Sequence, residues 1–137
     1  MATPAVMLII TVDSVERTRD FYVDTLGFGQ AMGMVGKDGQ LQFVTVAKEG
    51  LRIMLTRGAP GGGTPRPGRQ PVEIYAQVKD VQAYHDELHE RGVRASDPLT
   101  LQWWGDRTFK VLDPNGYMLW FYTNEADPRP PQGSKLI

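Results

Sequence analysis

Cysteine is absent from the 137-residue chain, which excludes disulfides, thiolate zinc sites and thiol nucleophiles. Histidine is scarce, with only His85 and His89. An excess of charge is missing too. Sixteen acidic side chains face fifteen basic ones, for a formal net charge of −1. So nearly neutral a chain argues against nucleic acid as the main partner. No long apolar run occurs. The longest, AVMLII at residues 5–10, falls far short of the roughly 18 residues that a membrane helix needs, so no membrane partner is expected. The opening MATPAVM lacks the basic start and small-residue cleavage site of a signal peptide. A cytoplasmic protein is expected. The length suits one compact domain, residues 1–137, which would bury roughly two-thirds of its unfolded surface.

What is present is a repeat. A shift of 66 residues lays Val12-Asp13-Ser14-Val15 on Val78-Lys79-Asp80-Val81, Gly50 on Gly116, Ile53 on Leu119 and Leu55 on Phe121. Apolar and glycine positions keep step although identities are few, and self-similarity at a fixed period marks a repeated structural unit. Two modules follow, about 5–57 and 72–124, joined by GAPGGGTPRPGRQP at 58–71, which can hold no regular element and reads as a flexible linker. A proline-bearing tail, 125–137, is expected to be mobile or to lie along a neighbour.

Each module carries the same order of signals. Residues 7–12 and 72–78 are β-branched-rich runs, read as strands. Asp13, with Glu16 three residues on, has the pattern of a capping box. Val15, Thr18, Tyr22 and Leu26 then recur at helical spacing until Gly27; Val81, Tyr84, Leu88 and Gly92 repeat the arrangement. Three strands follow in each module, near 30–36, 41–47 and 51–57, then near 93–100, 107–112 and 117–124. Lys48-Glu49-Gly50 and Asp113-Pro114-Asn115-Gly116 are tight turns. The unit is βαβββ, used twice.

Three segments carry a family likeness: Phe21-Tyr22-x-Asp24-x-Leu26-Gly27-Phe28, Trp104-Gly105-x-Arg107-x-Phe109, and Asp113-Pro114-Asn115-Gly116-Tyr117-x-Leu119-x-Phe121. In this order, within two βαβββ modules, they resemble the vicinal oxygen chelate superfamily of glyoxalases, bleomycin-resistance proteins and dioxygenases. The resemblance implies an α+β fold in which two βαβββ modules form curled mixed sheets around a cavity, with helices outside. It does not fix the reaction, because one fold hosts many functions.

Enzymes of that family hold a divalent metal with one residue from the first and last strand of each module, usually His, Gln or Glu. The resemblance places those positions at Met7, Met54, Glu73 and Trp120. Only one of the four is a hard-cation ligand. Thioether sulfur suits soft ions such as Cu(I), an indole offers no usable lone pair, and one carboxylate cannot make a three-ligand site. No metal and no other cofactor are expected. His-Asp-Glu-Leu-His at 85–89 is a near miss to H-E-x-x-H, with Asp86 where the general base belongs. It reads as a solvated helix edge, because Val81, Tyr84 and Leu88 already form the buried stripe.

Side chains alternate along a strand, so residues two apart from the four positions also face the cavity. Its expected lining is Met7, Met54, Met118, Trp120, Tyr75 and Tyr122, with Arg52, Glu73 and Gln77 as polar groups, Trp103 and Trp104 at the rim, and Phe43 as a further wall. The opposite parity, including Leu8, Ile10, Ile53, Leu55, Ile74, Leu119 and Phe121, is apolar and suits packing under the helices. Aromatic rings and adaptable thioethers suit a flat apolar guest. The expectation is a metal-free binding protein of bleomycin-resistance type that sequesters an apolar, partly planar aromatic natural product. Two enzymatic alternatives stay open. One is a metal-dependent glyoxalase-like lyase or isomerase, or an extradiol-type dioxygenase. The other is a metal-free enzyme with Glu73 as general base. The resemblance also implies a homodimer whose cavities are lined by both chains. Trp103 and Trp104, read as an extended pair, should point to opposite faces, and Trp120 should form the cavity floor.

Overall fold

The computed structural model describes residues 6–57 and 67–137. Residues 58–66, the greater part of the expected linker, lie outside the described residues. In chain order, β1 (Leu8–Thr11), α1 (Val15–Asp20) running into a π-helical turn (Phe21–Thr25), β2 (Gly29–Val35), β3 (Leu41–Lys48) and β4 (Leu51–Thr56) make up the first half. The second half repeats the plan with β5 (Glu73–Gln77), α2 (Val81–Glu90), β6 (Asp97–Leu101), β7 (Asp106–Leu112) and β8 (Met118–Asn124). Each half forms a four-stranded mixed sheet, in the orders β1-β4-β3-β2 and β5-β8-β7-β6. The outer strands β1 and β5 run parallel to β4 and β8. The sheets are not closed on one another.

Strand alternation decides which side chains meet. Ile10 pairs with Leu55, and Leu55 with Val44. Ile74 pairs with Leu119, and Ala76 with Phe121. These residues belong to one buried core shared by both halves. An aromatic series crosses between the halves: Tyr22 lies 5.2 Å from Phe28, Phe28 lies 6.5 Å from Phe121, and Tyr84 lies 5.0 Å from Phe121. Burial of large apolar side chains of this kind stabilises by about 1.5–3 kcal/mol each.

Two of the core's tyrosines are hydrogen-bonded across the halves. The Tyr22 hydroxyl donates to Asp113 at 2.8 Å and the Tyr84 hydroxyl to the Leu26 carbonyl at 2.5 Å. Burial, then the Asp113 carboxylate, holds the Tyr22 phenol well above its usual range; burial raises the Asp113 carboxyl as well. The 113–116 turn is therefore more than a reversal. Asp113 takes the Asn115 and Tyr117 N–H groups, while Asn115 accepts the Asp13 N–H and donates to Thr18. Gly116 has φ +90, and a Cβ there would strike the Gly68 carbonyl.

Four local expectations are corrected. Ser14, not Asp13, caps α1, its hydroxyl accepting the Arg17 N–H at 3.1 Å. Glu16 closes no capping box and instead accepts the Leu41 N–H of β3. β6 begins at Asp97 rather than near 93, because the Val93 N–H is still committed to the Leu88 carbonyl that closes α2. The tail lies along its own chain: the Glu125 and Ala126 N–H groups donate to the Gly105 carbonyl, and Arg129 N–H to the Trp103 carbonyl at 2.6 Å.

Candidate ligand-binding face

On the side of the second sheet away from the core, the parallel β5–β8 register sets Glu73 beside Met118, Tyr75 beside Trp120 and Gln77 beside Tyr122. The result is a run of rings. Tyr75 stacks on Tyr122 at 4.5 Å and 24°, and lies 5.5 Å from Trp120. Trp104 follows at 6.3 Å from Trp120, and Trp103 meets Trp104 edge-on at 5.5 Å. Tyr75 and Trp103 are each 43% exposed, so the run presents open ring surface at both of these points.

Polar groups pin the rings. The Tyr75 hydroxyl donates to Asp106 at 2.6 Å and accepts the Trp104 Nε1–H at 2.8 Å. Burial and the bond to Asp106 push the Tyr75 phenol up to about 12, so it is neutral around neutral pH. The other Asp106 oxygen accepts the Asn124 side-chain amide. Trp120 Nε1–H donates to Glu73 at 2.7 Å, and Arg69 lies 3.9 Å from the same carboxylate. Lys110 sits with its Nζ 3.9 Å from the Trp120 ring centroid and 2.8 Å from Asp97. Trp120 is therefore no bare floor: an ammonium lies over its ring, an arrangement favoured by the ring quadrupole.

The pair Trp103–Trp104 lies in the β6–β7 turn, not in an extended segment. Trp104 joins the ring run through its bond to Tyr75. Gly105, at φ +100, lets the turn pass beneath the Ala126 carbonyl, which a Cβ would strike. Met118 is packed at 5% exposure and offers little surface. Asp106 was not among the residues singled out from the sequence. The signal that finds it is strand alternation: on β7 it shares parity with Thr108 and Lys110, which pair with Tyr122 and Trp120.

The first sheet presents a different face. Ile9 pairs with Met54, Met54 with Thr45 and Thr45 with Met32; Met34 pairs with Phe43. Ile9 is 64% exposed, and Met7, Met32 and Met34 are also exposed. Arg52 is exposed beside Ala47. The structure thus assembles Glu73, Tyr75, Trp104, Trp120 and Tyr122, with Gln77 alongside. It sets Met7, Phe43, Arg52 and Met54 on a separate apolar surface. Among the described residues no hydrogen bond, ion pair or ring contact joins the two groups. A cleft of ≈ 610 Å³ between the β3–β4 turn and β5 includes Leu51, Tyr75 and Gln77 in its lining, a size in the range of small-molecule sites. Another, of ≈ 510 Å³ near Arg17, Arg69 and Asn115, holds none of the residues expected to line the ligand cavity.

The four positions that would carry a metal in the family's enzymes do not fit one. Trp120 and Glu73 are bonded to each other, with the indole as donor, and Met7 and Met54 offer only thioethers. Among the described residues, no three His, Cys, Asp or Glu side chains are grouped to hold an ion. His85 and His89 stack at 6.2 Å on α2, and His85 packs edge-on against Phe109 at 5.3 Å.

Two βαβββ halves, each a four-stranded mixed sheet, define a protein of the vicinal oxygen chelate architecture. The chain belongs to the Glyoxalase/Bleomycin resistance protein/Dioxygenase superfamily, whose family model matches residues 5–121. An uncharacterized protein of Mycobacterium tuberculosis is 32% identical over 120 residues, which cover 83% of this chain and 71% of that relative. The crystal structure of TnmS3, an antibiotic binding protein from Streptomyces sp. CB03234, matches with a TM-score of 0.68 and 28% identity over 91% of this chain and 99% of that one. TioX from Micromonospora sp. ML1 shares the fold, with a TM-score of 0.68 at 20% identity over 88% of this chain and 99% of that one.

Proposed function

We propose that this chain is a metal-free binding protein for an apolar, partly planar aromatic small molecule of antibiotic type, which it sequesters in the cytoplasm. The observation that carries this reading is the pinned ring run Trp103–Trp104–Trp120–Tyr75–Tyr122. Rings already held by Asp106 and Glu73 lose little freedom when a guest stacks on them, and preorganisation of this kind raises affinity. The likeness to an antibiotic binding protein at 28% identity supports the same reading.

The binding unit is a homodimer. The exposed Ile9, Met7, Met32 and Met34 form the kind of apolar patch that marks an interaction surface. A second copy would bring this thioether surface over the aromatic face, and the guest would lie between them. The enzymatic alternatives are less well supported. A metal-dependent lyase or dioxygenase needs donors that Met7, Met54 and Trp120 do not supply, and the Glu73 carboxylate is already engaged by Trp120 and Arg69.

Tryptophan quenching by a panel of planar aromatic antibiotics tests the proposal. Saturable quenching is expected, and Trp104→Ala should weaken it about tenfold or more, as truncations at ring hot spots do. Wild-type protein that no member of the panel quenches would overturn it.

A further inference from the structure

Thr45 stands at the middle of β3 and is 2% exposed. Its neighbours Val44 and Val46 enter the core, so alternation turns Thr45 toward the thioether face. There its direct cross-strand neighbours are Met54 on one side and Met32 on the other. Among the described residues, the Thr45 Oγ1 is a buried side-chain atom that has no hydrogen-bond partner. Buried hydroxyls are almost always paired, because otherwise they forfeit their bonds to water without replacement. Valine would fill the same volume without that cost, so the hydroxyl needs a reason to be there. The flanking thioethers are flexible side chains that re-pack easily.

We propose that the Thr45 hydroxyl is the polar anchor of the ligand site, donating its hydrogen bond to a carbonyl oxygen on the planar guest as Met32 and Met54 move aside. The inference rests on the reading of these faces as a ligand site, and it narrows the ligand class. The Glu73, Asp97 and Asp106 carboxylates of the aromatic face are engaged by Trp120 and Arg69, by Lys110, and by Tyr75 and Asn124, and each keeps spare lone pairs for an N–H or O–H group of the guest. The thioether face contributes donors, Thr45 and Arg52. A conjugated ketone, quinone, lactone or amide therefore fits better than a plain hydrocarbon ring system.

The test pairs two variants with two probes. Fluorenone carboxylate and fluorene carboxylate share size, planarity and charge and differ in one carbonyl. By calorimetric titration, wild-type protein should prefer the fluorenone about fivefold, the worth of one net hydrogen bond. Thr45→Val should abolish that preference, and Thr45→Ser should keep it. Without ligand, Thr45→Val should melt at a higher temperature than wild type, because it removes an unpaired buried hydroxyl. A lower melting temperature would show that the hydroxyl already has a partner, such as a second copy of the chain, and would overturn the proposal. So would a fluorenone preference that survives Thr45→Val. Equal binding of both probes by wild type would reject the role of Thr45 and leave the aromatic site standing. Binding of neither would reject both.

Discussion

Tyr75 shows how much of the candidate face turns on single side chains. It stacks on Tyr122, receives the Trp104 indole N–H, and is held by Asp106. Its phenol stands near 12 against an ordinary 10.0, from burial first and the Asp106 bond second. A folded state that keeps its proton above the unfolded value is favoured at lower pH, so this contribution is complete below about pH 10 and is lost as pH rises toward 12. Asp106→Ala should bring the Tyr75 titration part of the way back toward 10.0, because burial persists. Alkaline absorbance titration, with Tyr75→Phe to identify the step, reads this directly. Near-ultraviolet circular dichroism of the same variant should lose part of its aromatic signal as the ring run loosens. The positions of Tyr75, Trp120 and Tyr122 were legible in the sequence because β5 and β8 alternate strictly. Asp106 and Thr45 were not, because they lie on β7 and β3, away from the four family positions from which the alternation was counted.

Elements were legible where periodicity was long and less so at their ends. Both helices and all eight strands exist in the expected order, yet β6 starts four residues late and the start of α1 depended on local chemistry. Asp13 and Ser14 are both good caps; the Ser14 hydroxyl takes the Arg17 N–H, while the Asp13 carboxylate lies 3.7 Å from the Arg17 guanidinium instead. Ser14→Ala should cost about 1 kcal/mol in urea unfolding, as lost N-caps do, whereas Asp13→Ala should cost less. The Trp103–Trp104 pair departs from the extended geometry its sequence suggests for a related reason: the Gly105 N–H closes a turn on the Gln102 carbonyl. Gly116 belongs to the same scale. Its positive φ and its approach to the Gly68 carbonyl leave no place for a side chain. Gly116→Ala should lower stability by about 2 kcal/mol or more, combining left-handed strain with the collision.

For the whole molecule, the sequence repeat foretold two equivalent sheets, and the family likeness foretold their architecture. It could not foretell how the faces divide labour, thioethers on one and pinned rings on the other. That follows from which parity each half fills with which side chains. If a second copy covers the first sheet, light scattering at micromolar concentration should report about twice 15.3 kDa. Ile9→Asp should then halve that mass and weaken binding together, since it puts a charge at an interface core. A chelator should leave the melting temperature of the native protein unchanged, because Met7, Met54 and Trp120 give an ion nothing to bind. A fall of several degrees, reversed by one divalent ion, would contradict that. The tail has a practical meaning at this scale. Residues 125–129 fasten onto the turn that carries both rim tryptophans, through the carbonyls of Gly105 and Trp103. The tail is thus a tether, and tension on it would reach the turn that carries Trp103 and Trp104. An affinity tag or surface attachment there would pull on Trp103 and Trp104, and removal of residues 125–137 should slacken the rim and speed guest release, measurable as a faster off-rate.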